Sequence, residues 1–127
     1  MAATIDIRTE DKVLIVSVAG IATASELVAV IDEYYPKKEV TDVIWDFTDG
    51  SWNQIPQSGF KEVARAAKES VEAGTRQGSK TAFVGTAGLE FGLHRMYQAI
   101  AESSGVPIKY NVFKTFAEAM AWVKSSS

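Results

Sequence analysis

Along this chain, apolar runs with a period of two alternate with stretches whose apolar positions recur every three or four residues. Thr4 to Arg8 puts Ile5 and Ile7 on one face of a half-buried strand. After a polar break at Glu10-Asp11, Lys12 to Ala19 contains Val-Leu-Ile-Val-Ser-Val, apolar on both faces and rich in β-branched residues. That predicts a central strand, hairpinned to the first and ended by Gly20. Thr23-Ala24-Ser25-Glu26 fits a capping box. Leu27, Val30, Ile31 and Tyr34 follow as the stripe of a helix that Pro36 closes. The polar segment Lys37-Lys38-Glu39 leads to a third strand, Asp42 to Phe47.

The same alternation continues to the C-terminus. Phe60, Val63, Ala64, Ala67 and Val71 predict a second helix, opened at Ser58-Gly59 and bracketed at its exit by Gly74 and Gly78. Thr81 to Val84 is a fourth strand stopped by Gly85. Leu89, Leu93, Met96, Tyr97 and Ile100 mark a third helix that stops near Gly105. Pro107 opens a fifth strand, Ile108 to Phe113. A second capping box, Thr115-Phe116-Ala117-Glu118, starts a last helix with Phe116, Ala119, Met120 and Val123 inside. Ser125-Ser126-Ser127 should fray. The order β-β-α-β-α-β-α-β-α implies an α/β fold with a mixed, mostly parallel sheet and right-handed crossovers. Residues 1–127 form one domain.

Composition narrows the function classes. The 127 residues carry a net charge of −3 and no cysteine. Disulfides, thiolate nucleophiles and sulfur-built metal sites are therefore excluded. The acidic balance and the lack of a Lys/Arg cluster argue against nucleic acid. No apolar run reaches the ~20 residues of a membrane span, and the N-terminus has no signal-peptide pattern. A cytoplasmic protein is the expectation.

Parallel strands would gather three connections on one rim: Gly20-Ile21-Ala22, Thr48 to Gln57, and Gly85-Thr86-Ala87-Gly88. The candidate partner- or ligand-binding residues there are Asp46, Thr48, Asp49, Trp52, Asn53, Ser58, Gly59 and Thr86. Trp52 is either the aromatic of a long binding loop or a cap folded over the core. Asp46, in an apolar strand, either accepts backbone N–H bonds near the turn or faces a polar pocket with Thr48 and Ser58. Ser58 is an N-cap or, at the positive end of a helix, a phosphate acceptor. Asp46 and Asp49 lack a third ligand, and the glycine turn is neither the dinucleotide fingerprint nor the Walker pattern, so no metal or cofactor is expected.

His94 is the single histidine. It lies off the predicted stripe and has no triad partner. Phe91, His94 and Arg95, with Gln98, form a mixed outer face, either a self-association surface for a homodimer or a solvated face. Acid–base chemistry would need Asp46 and His94 to converge, and no enzyme is expected.

The order of elements, together with Pro56-Gln57-Ser58-Gly59, resembles the SpoIIAA-like fold of STAS domains and of the lipid-binding half of Sec14-type proteins. The C-terminal half, Phe91-Gly92-Leu93-His94-Arg95-Met96-Tyr97 and Val112 to Trp122, resembles small stand-alone bacterial proteins of that group. STAS antagonists of anti-sigma factors carry a regulatory phosphoserine in Asp-Ser-Ser/Thr-Gly. Ser58-Gly59 match its last two positions, and Asp46 matches an acidic position common in the family. Pro56 replaces the Asp, and Gln57 stands in the phospho-acceptor slot. The resemblance implies a non-enzymatic regulatory module that binds a protein partner, without the phosphoserine switch. The alternative it implies is a small apolar, lipid-like ligand held among Trp45, Phe83, Leu93, Tyr97 and Trp122.

Overall fold

In the computed structural model, which describes residues 3–37, 42–73, 79–85 and 88–125 (without the side chains of 71–73 and 89), nine elements follow in the predicted order. They are β1 (Thr4–Glu10), β2 (Val13–Ile21), α1 (Ala24–Tyr34), β3 (Asp42–Ser51), α2 (Gln57–Ala73), β4 (Lys80–Val84), α3 (Gly88–Ser103), β5 (Lys109–Phe113) and α4 (Phe116–Val123). The readings that involve Lys38-Glu39, Gly74, Gly78, Thr86, Ser126-Ser127 and the side chains of Val71 and Leu89 fall outside the described residues.

The five strands form one sheet in the order β1-β2-β3-β4-β5. β1 and β2 pair antiparallel through a turn in which Asp11 and Lys12 both have positive φ (52° and 67°). Two left-handed residues are what a two-residue hairpin needs to match strand twist. Every later neighbour is parallel. The strand order never reverses, so the rim is shared as predicted but has no topological switch point of the kind that opens a ligand crevice.

The alternation of side chains along each strand separates two cores. On one face Leu14, Val16, Val18, Val43, Trp45, Phe47, Phe83, Tyr110 and Val112 meet α1, α2 and α3. On the other, Val13, Ile15, Ile44, Ala82 and Val84 meet α4 alone through Ala119 and Val123, flanked by Phe116, Met120 and Trp122. The capping box of α1 forms, with Thr23 accepting from the Glu26 N–H and Glu26 from the Thr23 N–H. α4 is short and is fixed at its far end by Lys80. The Lys80 ammonium donates to the carbonyls of Trp122 (3.1 Å) and Ser125 (2.8 Å), at the negative end of the helix.

β3 runs four residues beyond the predicted Phe47. Ser17 pairs with Asp46 but Ala19 with Asp49, so β3 carries one extra residue opposite Val18. Past this bulge the strand rejoins β2 through Gly20↔Gly50 and Ile21↔Ser51. A Cβ on Gly50 would stand within 3 Å of the Val18 backbone, so the close approach requires glycine. The first four residues of the expected long loop are therefore strand, and only residues 52–56 connect β3 to α2.

A polar rim above a buried aromatic cluster

Two arrangements occupy the end of the sheet where the parallel strands finish, one open and one closed. The open one lies on the α4 face, where the helix does not reach. Thr4 and Asp6 of β1, Ser17, Val18 and Ala19 of β2, and Asp46, Thr48 and Asp49 of β3 line a groove of about 270 Å³. Asp46 Oδ1 accepts the Thr48 backbone N–H at 3.0 Å and the Thr48 hydroxyl as well. That N–H lies at the bulge, so the carboxylate satisfies a donor the ladder leaves over. Of the two expectations for Asp46, both hold in part: it serves backbone and faces a polar groove shared with Thr48, but not with Ser58.

The closed arrangement is centred on Trp52. The extension of β3 delivers this residue inward, 1% exposed, against the rings of Phe47 (5.2 Å), Phe60 (4.8 Å), Phe83 (5.5 Å), His94 (5.1 Å) and Tyr97 (5.3 Å). The reading of Trp52 as a partner-contacting loop aromatic is corrected: its ring is the middle of the core. Gly59 is also buried, and a Cβ there would meet the Ile55 side chain at 2.5 Å and Ala24 at 3.3 Å. Its place is in the packing of α2 against its own entry turn and α1. Ser58 is exposed, one residue inside the helix. The first helical bond runs from the Phe60 N–H to the Pro56 carbonyl, so Pro56 holds the cap position expected for Ser58. Asn53 is exposed, and its N–H is bound by the Ser51 hydroxyl at 3.0 Å. Thr86 lies outside the described residues.

His94 overturns the expected phase of α3. It is 0% exposed, and the buried arc of the helix is Glu90, His94, Tyr97 and Ala101, whereas Met96 is 39% exposed. At 100° per residue the arc is turned by roughly a quarter turn from the stripe of Leu89, Leu93 and Met96. The cause is Gly85 at the end of β4. A Cβ there would lie 2.8 Å from the imidazole and 3.1 Å from Glu90 Cβ, so the glycine leaves the hollow the two side chains occupy. The expected outer face is thus taken apart. Phe91 is half-buried beneath the Lys114 ammonium (5.7 Å), His94 is in the core, and Arg95 is exposed.

This interior is unusually polar for an aromatic cluster. Neither His94 nitrogen, neither Glu90 carboxyl oxygen, nor Trp52 Nε1 has a hydrogen-bond partner among the described residues. His94 Nε2 and Glu90 Oε2 are 4.0 Å apart. Burial disfavours charge on both. It lowers His94 from its ordinary 6.5 to about 3, opposed by the Val84 backbone. It raises Glu90, opposed by the nearby Ser51 hydroxyl and Trp52 backbone, neither of which closes a well-formed bond. The pair is therefore neutral at pH 7 on the histidine side and biased toward neutrality on the carboxyl side.

The residues considered for chemistry and for an apolar ligand do not assemble. Asp46 faces the α4 side of the sheet, as Ile44 does, while His94 packs on Phe47 and Phe83 on the other side. Trp122 likewise lies across the sheet from Trp45, Phe83 and Tyr97. The space enclosed by Trp45, Trp52, Phe83 and Tyr97 is about 10 Å³, enough for roughly one water. Among the described residues no group of three His, Asp or Glu can hold a metal ion, and no helix is long and apolar enough to cross a membrane.

The fold defined by these elements is the SpoIIAA-like, STAS-type α/β domain. The chain is similar over 97% of its length, with a TM-score of 0.58 and 17% identity, to 95% of an anti-sigma factor antagonist from Mycobacterium paratuberculosis. It is also similar over 96% of its length, with a TM-score of 0.55 and 16% identity, to 99% of the anti-sigma factor antagonist SpoIIAA in its unphosphorylated form. No protein-family model and no curated protein sequence matches it.

Proposed function

We propose that this chain is a cytoplasmic, non-enzymatic regulatory module that recognises a protein partner through the rim at the ends of β2 and β3. The observation that carries the reading is the composition of that rim. Thr48, Asp49, Asn53 and Ser58 are exposed together with Ile21, which is 42% exposed at the end of β2. An exposed apolar side chain at the same end of the sheet as exposed polar groups suits protein recognition. The two similar structures are of proteins named for antagonising a protein, an anti-sigma factor, which supports the same class of work. A lipid-like ligand has no comparable support, since the aromatic interior encloses about 10 Å³.

The phosphoserine switch is not part of this reading. Gln57, in the acceptor slot, has no hydroxyl, and Ser58 already stands within the helix. The test uses the paired variant Ile21→Lys, Asp49→Lys, both at exposed positions. The protein that co-purifies with the wild type from its own cells should be lost, with the melting temperature unchanged. Equal capture by the variant would move the binding surface elsewhere.

A further inference from the structure

The two edges of the sheet are finished differently. At β5 the inward positions Lys109 and Phe113 bond to the β4 side, the N–H of Lys109 to the Ser79 carbonyl and the Phe113 carbonyl to the Gly85 N–H. The backbone groups of Tyr110 and Val112 therefore point outward, and one group on each meets a side chain. Gln98 Nε2 donates to the Tyr110 carbonyl (3.2 Å), and Asn111 Oδ1 accepts the Val112 N–H (2.9 Å). Such coverage blunts an edge against further pairing. At β1 no side chain bonds to the strand's outward backbone groups among the described residues. The strand is seven residues long, contains neither proline nor lysine, and pairs without a bulge along its whole length with β2. Its charges, Asp6, Arg8 and Glu10, are of both signs, so they guard the edge against an arbitrary strand but not against one of complementary charge.

The sequence of that edge is self-complementary. In an antiparallel pair of two β1 strands centred on Ile7, Asp6 of one copy faces Arg8 of the other, twice. Ile5 faces Thr9, Thr4 faces Glu10, and Ile7 faces itself across the two-fold axis. Asp6 and Arg8 both lie on the α4 face, so the opposite charges meet on one side of the joined sheet. Sliding by one step of the same hydrogen-bond parity places Asp6 on Asp6, and sliding the other way places Arg8 on Arg8. Of these three registers only the centred one pairs unlike charges, and the Arg8–Glu10 match one step further would leave only residues 8–10 of each strand facing each other, against 4–10 in the centred register. We propose that this chain forms a two-fold dimer by antiparallel pairing of β1 with β1 in that register, making one continuous sheet of two copies. Because Asp6 lines the 270 Å³ groove, Arg8 of the second copy then stands at the groove's outer wall and adds a cation to its carboxylates.

The test is a charge cycle read by sedimentation equilibrium and by hydrogen exchange. The wild type should dimerise, with concentration-dependent protection of alternate amides of β1. Asp6→Arg puts arginine against arginine and Arg8→Asp puts aspartate against aspartate, so each variant alone should shift to monomer by tenfold or more in dissociation constant. An equimolar mixture of the two variants restores both unlike pairs and should dimerise again, which a merely misfolded variant would not do. A wild type that stays monomeric up to about 1 mM, the weak end of specific association, overturns the proposal. So does a dimer indifferent to both substitutions, or a mixture that stays monomeric.

Discussion

The two faces of the sheet treat polar residues in opposite ways. On the three-helix face, His94 and Trp52 Nε1 are sealed among aromatic rings and Glu90 is buried beside His94, all with no hydrogen-bond partner among the described residues. On the α4 face, Asp46 and Asp49 stand in an open groove, and Asp46 holds the Thr48 N–H. Desolvation decides the difference. A buried polar group without a partner costs free energy, so the closed cluster subtracts from a stability its rings supply. The groove residues stay hydrated and cost little. The closed side is therefore where substitutions should be felt in folding, and the open side is where they should be felt in recognition.

The largest expected effect breaks the closed side. Trp52→Ala removes the ring that touches five others and should destabilise by roughly 3–5 kcal/mol. A shift in the urea midpoint with unchanged slope would report it. A loss below about 1 kcal/mol, the scale of surface changes, would mean that the ring is not in the core. That outcome would return it to the rim as a binding residue.

A smaller effect, and one with a sign, comes from pH. The folded value of His94 is depressed, so its contribution is full above 6.5 and is lost as pH falls toward about 3. Glu90 is raised, so its contribution is full below its ordinary 4.5 and is lost as pH climbs through its folded value. From pH 4.5 up through the folded value of Glu90 the two oppose each other, so wild-type stability alone would blur them. His94→Gln removes only one. The stability of the wild type relative to that variant should fall by about 2 kcal/mol from pH 6.5 down to 4.5, near 1.4 kcal/mol per unit in the lower part of that range. A difference that stays flat would place a charged or solvated imidazole in the folded protein.

What the sequence made legible follows the same division. Element order, the α1 capping box and the stripes of α1, α2 and α4 rest on local periodicity and capping, and the structure repeats them. The phase of α3 was not legible. Periodicity counts Met96 and Leu93 as core and Glu90 and His94 as surface, because it scores side chains by type. The hollow that admits the imidazole belongs to Gly85, on a different element. The extent of β3 was hidden for a related reason: Thr48-Asp49-Gly50-Ser51 reads as a turn, and only pairing with β2 beyond the bulge makes it a strand. A Gly at 85 with a His nine residues on was the available signal. It becomes one only once the strand and helix are known to touch. Of the rim residues, Asp46, Thr48 and Asp49 line one groove because a single strand carries all three, a strand that periodicity ends at Phe47.

The smallest effect sharpens the comparison on the open side. Both bonds that Asp46 makes to Thr48 converge on one oxygen, Oδ1. Asp46→Ala leaves the bulge N–H without its acceptor but within reach of water, so the expected cost is about 1 kcal/mol. Asp46→Asn can present a carbonyl oxygen in the same place and should recover most of it. If charge rather than hydrogen bonding fixed the bulge, alanine and asparagine would cost the same. If the groove were as closed as the Trp52 cluster, alanine would cost several times more. A urea titration of the three proteins at one pH distinguishes these outcomes. The asparagine variant also separates folding from recognition, because it keeps the bulge and removes a charge from the groove.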